Sequence, residues 1–443
     1  MQQVDMDIDL DAVRAVRVLG RGAMGTVFLV ADGARGPYAL KVFDKRCPVA
    51  ASASAARPAG DAVRRARWEV SVLSGLAHPH LPTLLGHAET PDLLASAVPY
   101  CSGGDLNELR YAQPDRVFSP AAIRFYVAEL VSALAELHAA GIAYRDLKPE
   151  NVLIRADGHV TLTDFDLCRL LPPKSPSAST STSSSCSATS SPPPQLHGQG
   201  RSQFGGQLRR IFARSESSVA ATLTSSSSTS GQDSHNLAWF LKRSDGGADL
   251  LKKAKSARVS PVSRGKKKAS FCSAASGGAC ERSFSFVGTQ EYVAPEVVRG
   301  EGHEFAVDWW ALGVLVYEMA YGKTPFRGRS RKETFRNVLL REPEFTADSR
   351  RRWSELTDLI TRLLDKQPAK RLGFAGGADE VRAHPFFAGV AWDLLGEVSR
   401  PPYIPPPTDD IVECEGFSVV DYFNKLHEPP PQPEEFTEFS PEF

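Results

Sequence analysis

The chain has 443 residues, with 52 Lys and Arg against 52 Asp and Glu, so its formal net charge is zero. That length exceeds one compact core and suits two lobes; the neutral balance argues against a whole-protein nucleic-acid binder. Seven cysteines, an odd number with none at the C-x-x-C spacing of a metal site, imply reduced thiols and an intracellular setting. The N-terminus (Met1-Gln2-Gln3-Val4-Asp5) lacks a basic-then-apolar signal pattern, and residue 2 is not the Gly that myristoylation needs.

Taken in chain order, strands are predicted at Val13–Gly20, Thr26–Ala31, Tyr38–Phe43, Thr83–Glu89 and Leu93–Tyr100. With one helix around Glu69 they make a small twisted antiparallel sheet lobe. Between the first two strands runs Leu19-Gly20-Arg21-Gly22-Ala23-Met24-Gly25-Thr26-Val27, a G-x-G-x-x-G-x-V loop. Its glycines let the backbone approach phosphate oxygens that a Cβ would keep away. Alone the pattern could equally mark a dinucleotide site. The third strand carries one central cation, Lys41, and an Ala/Ser/Pro-rich stretch at 47–60 reads as a surface loop before the Glu69 helix.

The second lobe is predicted to be helical. Ser119 and Pro120 suit the N-cap and first position of a helix whose apolar period runs through Leu130, Leu134 and Leu137 and ends near Gly141. Residues Phe305 to Gly322 form the most apolar window but contain Asp308 and Glu318. The window is short for a membrane span and reads as a buried helix.

The run Tyr144-Arg145-Asp146-Leu147-Lys148-Pro149-Glu150-Asn151, followed by Asp164-Phe165-Asp166, has the groups that phosphoryl transfer requires. One carboxylate, Asp146, can accept the proton of an attacking hydroxyl; Asn151 and Asp164 can hold magnesium; Lys148 can bind the transferring phosphate. Preceded by the glycine loop, Lys41 and Glu69, and followed by Ala294-Pro295-Glu296, the set stands in the full order of the protein-kinase signature.

On these residues the chain resembles a eukaryotic protein kinase over about 14–387. Tyr144-Arg145-Asp146, Gly288-Thr289-Gln290-Glu291-Tyr292-Val293-Ala294-Pro295-Glu296 and Val307-Asp308-Trp309-Trp310-Ala311-Leu312-Gly313 are similar to the AGC group of serine/threonine kinases. Arg400-Pro401-Pro402-Tyr403-Ile404-Pro405 resembles the start of the AGC tail. Asp166 where Gly is usual, and a long insert before the activation segment, are similar to the plant-specific AGC kinases of PINOID, UNICORN-like and oxidative-signal-inducible type. The resemblance implies an α+β, two-lobed kinase fold, with a small lobe at about 14–98, a large lobe at about 102–387 and a tail at 388–443. It implies ATP and Mg2+, and transfer to Ser/Thr in intracellular signalling, in cytoplasm and nucleus. The rival class is a pseudokinase or scaffold that signals by binding.

Residue by residue, the resemblance implies that Leu19, Gly20, Gly22, Gly25 and Val27 cover ATP, and that Lys41 and Glu69 pair to position its phosphates. Pro99 and Cys101 would meet adenine through the backbone, and Asp105 the ribose. Asp105, Glu150 and Glu318 would read Arg or Lys two or three residues before the phosphoacceptor. Leu73, Leu84, Tyr144 and Phe165 would stack between the lobes on Asp308, Thr289 would hydrogen-bond near Asp146, and Glu296 would pair with Arg371. Phosphorylated Ser285 would be clamped by Arg145. Phe436 and Phe439 resemble the hydrophobic motif offered to a phosphoinositide-dependent upstream kinase. Cys168, a lone thiol, reads as packing before redox control.

Residues Pro172 to Ser283 form the insert. Its first half, rich in Ser, Thr and Pro, offers little to bury and is predicted to be disordered. Its second half is basic: 250–268 hold Lys252, Lys253, Lys255, Arg258, Arg264, Lys266, Lys267 and Lys268 and no acid. Nuclear import, and anionic lipid at the plasma-membrane periphery at roughly 1 kcal/mol per basic residue, are both open readings; a solvated run without a partner is the third.

Overall fold

The computed structural model describes residues 8–22, 24–31, 36–46, 60–171, 288–347, 351, 353–398, 400–406 and 416–428. The insert, Ser285, the 47–59 stretch and the terminal Phe436 and Phe439 lie outside them. Near the N-terminus, alternating apolar runs become β1 (Arg14–Gly22), β2 (Gly25–Val30) and β3 (Tyr38–Asp44), followed by helix α1 (Gly60–Leu73), β4 (Gly86–Glu89) and β5 (Leu93–Pro99). Period-two alternation divides β3. Tyr38, Leu40 and Val42 join Phe28 and Val30 in one buried face. Phe43 points the other way and packs with Ala66 of α1, and Lys41 pairs across that face with Glu69 of α1.

Two predicted strand bounds shift. The strand predicted from Thr83 begins at Gly86, because Leu81 and Leu84 are buried in the core below the sheet. Strand β5 stops at Pro99, which has no N–H for the ladder.

The second lobe opens with α2 (Leu106–Ala112) and α3 (Pro120–Ala139). Ser119 caps α3, its Oγ accepting the N–H of Ala122 at 3.2 Å, with Pro120 at the first position, where no donor is lost. Two short antiparallel ribbons follow, β6 (Ile142–Ala143) with β9 (Arg169–Leu170), and β7 (Val152–Ile154) with β8 (Val160–Leu162). They bracket residues 144–151 and 163–168 on two rigid edges. Then come α4 (Pro295–Arg299), α5 (Ala306–Tyr321), α6 (Arg331–Leu340), α7 (Ser354–Leu363) and α8 (Gly377–Arg382). Helix α5 is apolar nearly all round and buried nearly all round, as expected of a buried helix. Among the described residues no helix is long and apolar enough to cross a membrane.

The tail runs back over both lobes. At Gly158 (φ +84°) a Cβ would lie 2.3 Å from the carbonyl oxygen of Tyr403, and at Gly103 one would lie 2.7 Å from Pro405. Beyond it, β10 (Phe417–Ser418) adds a sixth strand beside β1, giving the order β10-β1-β2-β3-β5-β4. Helix α9 (Val419–His427) then covers the outer sheet face, with Phe423 and Tyr422 edge-on to Phe28 at 5.8 and 5.1 Å. His427 meets Asp44 at 2.7 Å and Arg46 reaches Asn424 at 3.0 Å.

Candidate active site

The glycine loop is the tip of the β1–β2 hairpin, with Gly20 opposite Val27 and Gly22 opposite Gly25. Leu19 is buried beneath it. Gly25 must be glycine: its φ is +121°, and a Cβ there would meet the carbonyl oxygen of Val42 at 2.3 Å. Across the sheet, the register places Lys41 beside Val27.

Lys41 Nζ lies 2.7 Å from both carboxylate oxygens of Glu69 and 3.1 Å from Asp164 Oδ1. Burial opposes the ammonium charge, but the carboxylates of Asp164 and then Glu69 outweigh it, so the lysine pKa is raised. Three elements therefore converge on one cation: β3, α1 and the segment after β8.

Asp146 sits at the centre of the loop between β6 and β7. Its Oδ2 accepts Lys148 Nζ at 2.7 Å and Asn151 Nδ2 at 3.0 Å, while Oδ1 accepts Thr289 Oγ1 at 3.1 Å. Burial works against the Lys148 ammonium, yet neighbouring Asp146 more than compensates and its pKa is raised. The backbone here is strained, with Arg145 at φ +69° and Asp164 at φ +60°, a region costly for residues with a Cβ. The fully buried Asp308 of α5 holds the first of these. Its carboxylate accepts the backbone N–H of Tyr144 at 2.9 Å and of Arg145 at 2.7 Å, and meets His138 Nε2 at 2.8 Å. Tyr144 and Phe165 pack edge-on at 5.5 Å, in one core with Leu73 and Leu84. The guanidinium of Arg145 donates to the carbonyl oxygen of Leu167 at 2.8 Å from Nε and 2.5 Å from Nη2; burial lowers its pKa to about 10.

At the hinge, Pro99 closes β5 and Cys101 is buried. Burial pushes the Cys101 thiol up to about 12, and that of Cys168 well above its usual value. Neither has the thiolate character that redox control needs. Asp105 is buried and caps α2, Oδ1 accepting the N–H of Glu108 at 2.8 Å; its carboxyl is raised to about 7 by burial. Glu150 and Glu318 are raised for the same reason. Glu318 is gripped by Arg110 at 3.1 Å and by the hydroxyl of Tyr292. These acids feel one another's charge, and Glu108, raised to about 7 by burial, belongs to the same cluster.

The sequence reading missed Glu108, which only the α2 cap brings to the cluster. It also missed Arg65 and Trp68 on α1. Arg65 Nη2 pairs with Asp166 Oδ2, and Trp68 Nε1 donates to the carbonyl oxygen of Cys168 at 2.8 Å. Glu296 and Arg371 form a bidentate buried pair at 2.7 and 2.9 Å, away from the cleft.

A sequence model described as a protein kinase domain matches residues 13–199 and 267–387. The chain is 46% identical over 452 residues to the serine/threonine-protein kinase UCN of Arabidopsis thaliana, covering 98% of this chain and 95% of that protein. It is 47% identical over 433 residues to UCNL of the same plant, with 96% and 90% covered, and 37% identical to the protein kinase PINOID 2 of Oryza sativa, with 90% and 79% covered. With a glycine hairpin over a paired lysine, a carboxylate seated beside an amide and an ammonium, and those likenesses along nearly its whole length, the chain belongs to the protein kinases, within the plant AGC branch of serine/threonine kinases.

Proposed function

We propose that this chain transfers the γ-phosphate of ATP to Ser or Thr hydroxyls that follow basic residues, with Asp146 as the base. The observation that carries it is the seating of Asp146 between Lys148, Asn151 and Thr289. Asp146 receives the hydroxyl proton; Thr289 and Asn151 fix its two oxygens in direction; Lys148 lies where it can bind the phosphoryl oxygens. Lys41, held by Glu69, takes the α- and β-phosphates beneath the glycine hairpin of Gly20, Gly22 and Gly25.

Protein kinases use Mg2+ with ATP, and the residues present fit it. Asn151 turns its amide nitrogen to Asp146, leaving its oxygen as the hard donor, and the Asp164 side chain is 36% exposed toward the cleft. Two oxygen donors suffice where substrate phosphates complete the shell, and among the described residues no group of three or more His, Cys, Asp or Glu forms a closed cage. When bound, the metal neutralises the charge of the triphosphate.

The basic-context preference is supported by the acidic cluster of Asp105, Glu108, Glu150 and Glu318 beside the catalytic loop. An activating phosphate on Ser285, docking of Phe436 and Phe439 by an upstream kinase, and lipid binding by the basic insert rest on the sequence alone.

The test is incorporation of labelled phosphate from ATP into peptides by the full chain, with Asp146→Asn as control. Transfer to Ser/Thr peptides with Arg two or three residues upstream, abolished in the control, is expected. No transfer, or a preference for acidic or proline-directed peptides, would refute the proposal.

A further inference from the structure

Arg65, Trp68 and Glu69 lie on one face of α1, at the spacing of one helical turn. All three reach the segment from Asp164 to Cys168. Glu69 Oε1 lies 3.4 Å from the backbone nitrogen of Phe165 and holds Lys41, which touches Asp164. Trp68 holds the carbonyl oxygen of Cys168. Arg65 meets the carboxylate of Asp166, whose side chain is only 2% exposed. A carboxylate buried to that degree is costly unless a cation answers it.

The backbone sharpens the point. Among described residues other than glycine, only Asp115, Arg116, Arg145 and Asp164 have positive φ. Residue 166 therefore has a negative φ in this conformation, where a side chain carries no left-handed strain. A Cβ penalises the alternative conformations that glycine alone could reach.

We propose that Arg65 is a positioning residue: by neutralising Asp166 it locks α1 to the Asp164-Phe165-Asp166 segment and keeps Asp164 in its strained, cleft-facing position. Arg65 touches no reacting atom and acts through Asp166. The inference rests on the reading of Asp164 as a metal ligand for its effect on rate, but not for its effect on local stability.

The experiment is a cycle of Arg65→Met, Asp166→Asn and the double variant in the full chain, with two readouts. One is hydrogen exchange of 61–73 and 164–170 in the nucleotide-free protein; the other is kcat with KM for peptide. Arg65→Met removes the cation that pairs with a buried carboxylate. Exchange in both segments should rise and kcat fall at least about tenfold, with peptide KM within about twofold. Adding Asp166→Asn removes that buried charge as well and should restore both readouts to within about threefold of wild type. Arg65→Met behaving as wild type would overturn the proposal. So would a double variant as impaired as Arg65→Met, since a purely structural arginine gains nothing from Asp166→Asn. Should Arg65→Met fail to fold, a folded double variant supports the pair and an unfolded one refutes it. An inactive wild type would sink the phosphotransfer reading, while the exchange cycle would still decide the lock.

Discussion

Replacing Asp308 by Asn removes one charge and one acceptor from the group that holds the 144–151 loop in shape. Asp308 is wholly buried and answers three donors: Tyr144 N and His138 Nε2 on one oxygen, Arg145 N on the other. An Asn keeps a single oxygen. With that oxygen toward Tyr144, its NH2 group faces the N–H of Arg145; flipped, it faces the N–H of Tyr144. Either way one buried backbone donor is orphaned, at about 1–3 kcal/mol. The surviving bonds lose their charge assistance, which takes each from about 1.5–3 to about 1 kcal/mol. We predict a loss of about 3–5 kcal/mol in stability, in line with removing one member of a buried charged network. The rate should suffer separately. Arg145 stands at φ +69°, and once its N–H is released the backbone can relax toward ordinary geometry, carrying the adjacent Asp146 with it. A displacement near 1 Å costs about 100-fold in turnover. The checks are the denaturant midpoint and kcat at saturating ATP and peptide. An unchanged midpoint with kcat within twofold of wild type would show that Asp308 does not hold the loop.

Arg371→Met strips the partner from Glu296, both fully buried, and is expected to cost about 3–5 kcal/mol in denaturant titration; because the pair lies away from the cleft, kcat per folded molecule should not change, and a fall in it would contradict that placement. Burial raises the Asp105 carboxyl to about 7, so the group is largely neutral below that pH and ionised above it. A cationic peptide favours the ionised form, so KM for a basic peptide should rise as pH falls through about 7, by up to about tenfold per unit, and Asp105→Asn should flatten the profile only in part, because Glu108, raised to about the same value, still titrates there; an Asp105→Asn profile identical to wild type would exclude this acid from substrate reading. Phe423→Ala empties the contact with Phe28 and is expected to cost about 3–5 kcal/mol and to speed hydrogen exchange in β1 and β10; normal exchange there would mean the tail does not brace the sheet.

The groups legible in the sequence were those whose chemistry is local. Gly20, Gly22 and Gly25 sit on one hairpin, Asp146, Lys148 and Asn151 within six residues, and a short spacing leaves such groups few ways to diverge. The Ser119 cap and the apolar helix around Asp308 were legible for the same reason. Arg65 and Trp68 were not, because a cationic helix such as 61–67 reads as a solvated face until the register of α1 against the Asp164 segment is known. Strand β10 is two residues long and shows no alternation, although Ser418, Asp421 and the i, i+4 pair of Val419 and Phe423 carry a helix-start signal. Asp308 shows how the two kinds of information meet. Its helix could be read as buried from its apolar run, and a lone carboxylate inside such a run must have donors to answer. Which donors they are depends on the loop after α3, 164 residues earlier in the chain for Tyr144. The geometry of the 144–151 loop is thus set by a long-range contact with the apolar helix α5, and a change confined to α5 should reach Asp146 without touching any residue of the signature around it.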